Sequence, residues 1–452
     1  MRRSVEYAPI IVFMIVLFVA LVPGNVYLMS GVLIIGIMLV VIVSKMNPVL
    51  VTFLVYPFSF LLRNHHPGEA LIVLAPEILW FFSLLLVIKN VVSQDIRSVM
   101  IPVGLLTFYA VFVFLSSVYH WGGLNGFQGN YLLEVVRLYV LPVVYIAALI
   151  IVSVYDQSVS EKGLLYSSFS FGVLGLLAIV NYYYPFLNRD IASLQSILNY
   201  NEDGLIVAGR YFMGVYMPRL NLLIGGMVGS VAAIYIGLSY FLFRESEGDY
   251  IKIIFSVILF VAAMLTLSYT PIAVILFILI LSLFIGGENR MKNVLMMVFL
   301  FYATMSFGGA GDLSLYEYGS DMTSAKFHFV SEMSFKDLFS GYGFWLLSSD
   351  FGEAGKYYGP IDLGFFRILL DVGIVPFVVY CFFVLIILRI LLNGFFYKKK
   401  SNDILPYAVL LFSFLIGIHG NVAMTTPVFP VFAALVAKII NLNVHQNYDS
   451  TS

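Results

Sequence analysis

Residues 272–285 read IAVILFILILSLFI, an unbroken apolar run interrupted by a single hydroxyl. A transmembrane barrel strand alternates apolar and polar residues, so a run of this kind excludes that architecture and leaves a helix. Comparable runs recur along the chain at lengths near the ~20 residues that cross a bilayer core. The 452 residues are 61% hydrophobic, 16% aromatic and only 11% charged, with mean hydropathy +0.98. Soluble chains carry about 25% charge. The pattern predicts an all-α polytopic membrane protein, a single transmembrane domain over 1–452 with about 12–14 transmembrane helices.

Spans are expected near 7–22, 26–43, 48–62, 70–90, 99–118, 132–153, 163–185, 219–243, 251–267, 270–287, 292–309, 372–393, 404–419 and 427–441. The first has the basic flank of a signal sequence but no small-residue cleavage site, so it is expected to be retained. The polar break TLSYTP, within 265–271, reads as either a loop or a re-entrant turn, and 361–371 is a candidate extension of the twelfth span. Cys381 sits alone in an apolar run, so no intramolecular disulfide is expected. The net charge of −1 and the lack of a basic stripe exclude nucleic acid as an expected partner.

Orientation follows from the lysine and arginine bias. With the N-terminus inside, most basic residues fall on cytoplasmic ends and loops, among them Arg2, Arg3, Lys89, Arg244, Lys398 and Lys438. Both termini are then cytoplasmic. Two long loops face outward, one over 186–218 and one over 310–371, and both hold cations on the side where positive charge is normally depleted. His65, His66, His120, His328 and His419 also lie outside, with only His445 inside. Long loops on a rigid scaffold are where function concentrates.

The first long loop leads into GRYFMGVYMPRLNLL at 209–223. An arginine near the bilayer either snorkels to lipid phosphate or grips a specific anion. Arg210 and Arg219 together, set among glycines and tyrosines that include Tyr211, favour the anion, since the guanidinium fork matches phosphate oxygens. A lipid-linked diphosphate is the natural candidate. In the second loop, 324–339 reads as a short helix with SGYG at 340–343 as its glycine-rich stop. Its acids have no metal-ligand spacing, so no metal and no cofactor is expected. Arg367 and Asp371 have the spacing of a helix salt bridge, as do Glu134 and Arg137.

Asp362 lies in YYGPIDLGFF, where the loop re-enters the membrane. There it serves either as a helix N-cap or as a poorly solvated general base for an acceptor hydroxyl. Tyr182–Tyr184, Tyr316, Tyr318, Tyr342, Trp345, Tyr357 and Tyr358 crowd the same side. They read as an interfacial belt or as stacking surfaces for sugar rings.

In layout, residues 163–440 resemble the O-antigen polymerase and O-antigen ligase superfamily of bacterial inner membranes. The motifs are the outer-loop arginine of RLNLL (Arg219 to Leu223) and KFHFVSEMSFKDLFSGYG, with Lys326 where the family has arginine. A third is the spacing of Asp362, Leu363 and Gly373, with aspartate where ligases carry histidine. The family's Gly-Ser-Arg-Gly-like turn is TLSYTP here, without an arginine. The missing histidine favours a polymerase over a ligase.

The resemblance implies a metal-independent glycosyltransferase that moves a growing glycan from undecaprenyl diphosphate onto another lipid-linked repeat unit at the periplasmic face. Arg210 and Arg219 would hold the leaving diphosphate. Asp362 would take the acceptor proton, with Arg367, Lys326, His328, Tyr211, Tyr358 and Trp345 in the substrate-binding shell. The implied partners are the undecaprenyl-diphosphate-linked oligosaccharide and membrane lipid, with a chain-length regulator as a further candidate. The alternatives are a ligase that moves finished polymer to the lipid A core, and a flippase for the lipid-linked unit. A flippase should line a pathway with charges deep in its spans.

Overall fold

A computed structural model describes residues 48–58, 99–121, 136–183, 209–212, 215–218, 220, 228–285, 295–296, 307–308, 334–341, 364–396, 401–416 and 428–448. Expected spans 7–22, 26–43 and 70–90 lie outside these residues, and so does most of 292–309.

The apolar runs are helices, as they must be where no water can satisfy a backbone amide. In chain order they are α1 (Pro48–Val55, continued by a tight turn at Tyr56–Phe58), α2 (Met100–Trp121), α3 (Leu141–Tyr155) and α4 (Gln157–Tyr183). α5 (Val228–Arg244), α6 (Tyr250–Leu265) and α7 (Tyr269–Ile285) follow. After the short α8 (Phe335–Ser340) come α9 (Gly364–Val372), α10 (Ile374–Phe396), α11 (Ser401–Ile416) and α12 (Phe429–Tyr448). One widened turn, Val136–Val140, leads into α3, whose second residue is Pro142.

Met100–Tyr119, Ser158–Val180 and Ile374–Phe395 are the three helices, among the described residues, long and apolar enough to cross a membrane. Their outward faces keep Phe108, Val111, Phe114, Leu115, Phe382 and Leu385 exposed. A hydrocarbon environment accepts such a surface; water does not.

α5 packs on α6, α7 and α11, while α12 packs on α3 and α4. Polar clasps supplement the apolar packing, as expected where lipid gives helices no hydrophobic drive to associate. The Ser239 and Ser256 hydroxyls each donate to the other's carbonyl at 2.8 Å, tying α5 to α6. Thr52 shares a 2.7 Å hydrogen bond with the Tyr145 hydroxyl, and the Tyr145 ring meets Phe429 edge-on.

Two details settle readings left open by the sequence. The break in 265–271 is a tight turn between two helices. α6 stops at Leu265, Thr266 folds back to donate to the Ala263 carbonyl, and α7 restarts at Tyr269. The run near 361–371 is a separate helix, α9, divided from α10 by Gly373 at φ +90°.

An addition to the all-helical expectation lies in the first long loop and at 307–308, where the end of the expected span 292–309 is a strand. β1 (Gly209–Phe212), β2 (Val215–Pro218) and β3 (Phe307–Gly308) form an antiparallel sheet in the order β2-β1-β3.

Candidate functional site at the loop end of the bundle

Several elements gather at one end of the bundle. α4 and α6 run in parallel, with Gly175 beside Ala262, and the turn after Leu265 closes that end. Leu220, just past β2, is buried there and donates its amide to the Leu265 carbonyl at 2.9 Å. The hairpin that carries the predicted arginine is thereby fastened to the turn between α6 and α7.

β1 is the central strand of the sheet. Arg210 stands opposite Met217, Tyr211 opposite Tyr216 and Gly308, and Phe212 opposite Val215 and Phe307. Strand β3 lies just before the second long loop, so β1 ties the first loop to the chain that enters the second. The sequence signal for the hairpin was Met213-Gly214 between GRYF and VYMP, since a two-residue connector containing glycine favours a tight hairpin.

The second loop is anchored differently. Ser334 caps α8, its hydroxyl accepting from the Asp337 amide at 3.1 Å. Gly341 ends α8 at φ +71°, which matches the expected SGYG stop; of the expected helix at 324–339, only 335–339 lies within α8, and 324–333 falls outside the described residues. Two glycines then let backbones touch. A Cβ on Gly373 would sit 2.1 Å from the Phe339 carbonyl oxygen, and one on Gly341 would sit 2.7 Å from the Asp371 carbonyl. Ser116 of α2 donates to the Ser340 carbonyl at 2.7 Å and completes the joint.

Beside this joint lies a buried polar cluster that sequence reading missed. Asp371 is 3% exposed and accepts a 2.5 Å hydrogen bond from the Tyr139 hydroxyl. Tyr109 and Tyr380 meet nearby with their rings tilted at 49° and centroids 6.2 Å apart. The Tyr109 hydroxyl is buried with no hydrogen-bond partner among the described residues. Asp371 was legible as an acid at salt-bridge spacing from Arg367, but its hydrogen bond from Tyr139 in α3's entry turn is a long-range pairing that no local pattern announces.

On the surface above α2, Lys336 holds its ammonium over the Tyr119 ring, 5.7 Å from the centroid. Hydrogen bonding and charge from Tyr119 raise its pKa above the ordinary lysine value.

Arg210 and Tyr211 are thus placed on β1, and Arg367 on α9 one turn before Asp371, by backbone position alone. Arg219, Lys326, His328, Trp345, Tyr358 and Asp362 lie outside the described residues, as does Glu134. No protein-family model, curated protein or solved structure matches the chain.

Proposed function

We propose that the chain is a membrane-embedded glycosyltransferase of the O-antigen polymerase kind, working at the loop end of the bundle in a bacterial inner membrane. The acceptor sugar's hydroxyl oxygen attacks the anomeric carbon of the donor glycan. The bond from that carbon to the diphosphate oxygen breaks, and undecaprenyl diphosphate leaves. The acceptor proton passes to the Asp362 carboxylate, while Arg210 and Arg219 neutralise the leaving group.

One observation carries the reading: the strand bearing Arg210 pairs with the segment that leads into the second long loop, and its hairpin is pinned to the bundle through Leu220 and Leu265. A cation on a paired strand is preorganised for an anion in a way that a snorkelling side chain on a free loop is not. The placement of buried charge also weighs against a flippase. Among the described residues, the buried Asp371 lies one residue from the end of α9, and the buried Lys438 is paired with Glu161 in the first two turns of α4 rather than left to line a pathway.

Deleting the gene and resolving the lipopolysaccharide on a gel tests the reading. Loss of a polymerase leaves core carrying a single repeat unit. Ligase loss leaves bare core with polymer stranded on its carrier, and flippase loss leaves bare core with units trapped inside. Arg210→Ala and Arg219→Ala should each abolish long chains while the protein stays in the membrane. Wild-type chain lengths from either variant remove that arginine from the mechanism, and full activity in Asp362→Asn reduces that residue to a helix cap.

A further inference from the structure

A groove of ≈ 380 Å³ runs along the outside of the bundle between α2 and α3. One wall is a helical ridge of residues four apart, Thr107, Val111 and Leu115, and the other is Val140, Val144 and Ala147. The lining is apolar in effect, because the Thr107 hydroxyl is turned back onto the Val103 carbonyl of its own helix. Val111 is 49% exposed and Leu115 56%, so the groove is open along its length.

The ridge does not stop at Leu115. Its next member is Tyr119, and over the Tyr119 ring stands the fully exposed Lys336 ammonium. From Thr107 to Tyr119 the helix rises about 18 Å at 1.5 Å per residue. One leaflet of hydrocarbon is about 15 Å deep, half of a ~30 Å core. Phe335 and Phe339 of α8 lie exposed on either side of Lys336 in sequence, which is the composition of an interfacial segment. An apolar groove whose ridge is continued by Tyr119 to a cation at the headgroup level has room for one hydrocarbon chain and a charge to meet its phosphate.

We propose that the α2–α3 groove binds one phosphate-bearing lipid, its chain lying along Thr107, Val111 and Leu115 and its phosphate meeting Lys336. The phosphate on a hydrocarbon chain is the recognised chemistry, whether the chain is an acyl tail or a polyprenyl tail. The site does not depend on glycan transfer. Its readout is lipid retention, so the polymerase reading can fail while this one stands, and the reverse.

The test uses the full chain in detergent micelles, titrated separately with phosphatidylglycerol, with uncharged diacylglycerol and with undecaprenyl phosphate, counting bound lipid by native mass spectrometry. Wild-type protein should retain one phosphate-bearing lipid in preference to diacylglycerol. Lys336→Glu should lower that retention about fivefold or more, since it puts an anion in place of the cation that meets the phosphate. Leu115→Trp, which fills the channel, should lower it as well. Phe382→Trp, on an exposed position of α10, should leave it unchanged. A preference for phosphatidylglycerol assigns an acyl lipid and a preference for undecaprenyl phosphate a polyprenyl one. Equal retention of phosphatidylglycerol and diacylglycerol, or unchanged retention in Lys336→Glu, means bulk lipid only and overturns the site.

Discussion

The two ends of the helical bundle each bury an ionisable side chain, and they hold it in opposite ways. At the end away from the loops, Lys438 of α12 is almost fully buried and makes an ion pair with Glu161 of α4, which is half exposed. The turn beside it is a local device: Asp249 caps α6 by accepting from the Ile251 amide, and Lys252 donates to the Glu245 carbonyl. At the loop end, Asp371 is buried against a phenol, Tyr139, and the surrounding joint is backbone against backbone through Gly341 and Gly373. One end is clamped by charge, with water able to relax the exposed partner. The other is fitted by shape, with no slack in the chain. Stiffness at the loop end is what a site built from loops requires.

Substitutions at the two ends should separate these designs. The largest effect is expected at Gly373. Alanine there would meet the Phe339 carbonyl and occupy φ +90°, so strain and overpacking together should cost about 3 kcal/mol or more. Thermal unfolding in detergent should fall sharply, and a wild-type transition would mean that the α8–α9 joint is loose. Next comes Tyr139→Phe, which removes the donor from the buried Asp371 carboxylate. Hydrogen bonds to charged groups contribute about 1.5–3 kcal/mol, and Asp371→Asn should cost less because an amide oxygen can still accept from Tyr139. If Tyr139→Phe melts like wild type, the phenol does not support the carboxylate.

At the opposite end the prediction is an asymmetry. Glu161→Gln strips the counter-charge from a buried ammonium and should cost about 1–3 kcal/mol. Lys438→Met should cost less, because Glu161 can turn to water. Equal losses would show that the pair acts through geometry rather than charge. The smallest effect is expected from Ser334→Ala, about 1 kcal/mol from loss of the α8 cap. It should appear as faster local proteolysis near 334–341 with little change in the global transition.

The bundle was legible because apolar runs in a membrane have one solution, and the described helices fall within a few residues of most expected spans. α5 departs by beginning at Val228 rather than near 219, because the arginine-bearing segment before it is spent on strands and an anchor. The expected span 292–309 departs by ending in β3, and α12 by running on to Tyr448 rather than 441. Strands β1 and β2 are four residues long and continue an apolar stretch from Leu205 to Leu223, too short for a strand periodicity to register. Gly373 was picked out by its spacing from Asp362, yet its physical reason, a carbonyl where a Cβ would stand, exists only in three dimensions. Tyr139 was unreadable for the same cause: its importance comes from a partner 232 residues away.

That separation has a consequence for how the protein is made. Chain emerges from a ribosome at about 5–20 residues per second, so Tyr139 enters the membrane roughly 10–50 s before Asp371 exists to accept its proton. Throughout that interval the entry turn of α3 carries a phenol without its final partner, and α2 has no Ser340 carbonyl to receive Ser116. The loop end is therefore finished last, by the arrival of α8 and α9, and an early helix pair must wait unsealed until then. A truncated chain ending before Asp371 would expose that unsealed surface permanently, which marks it for removal by quality-control proteases.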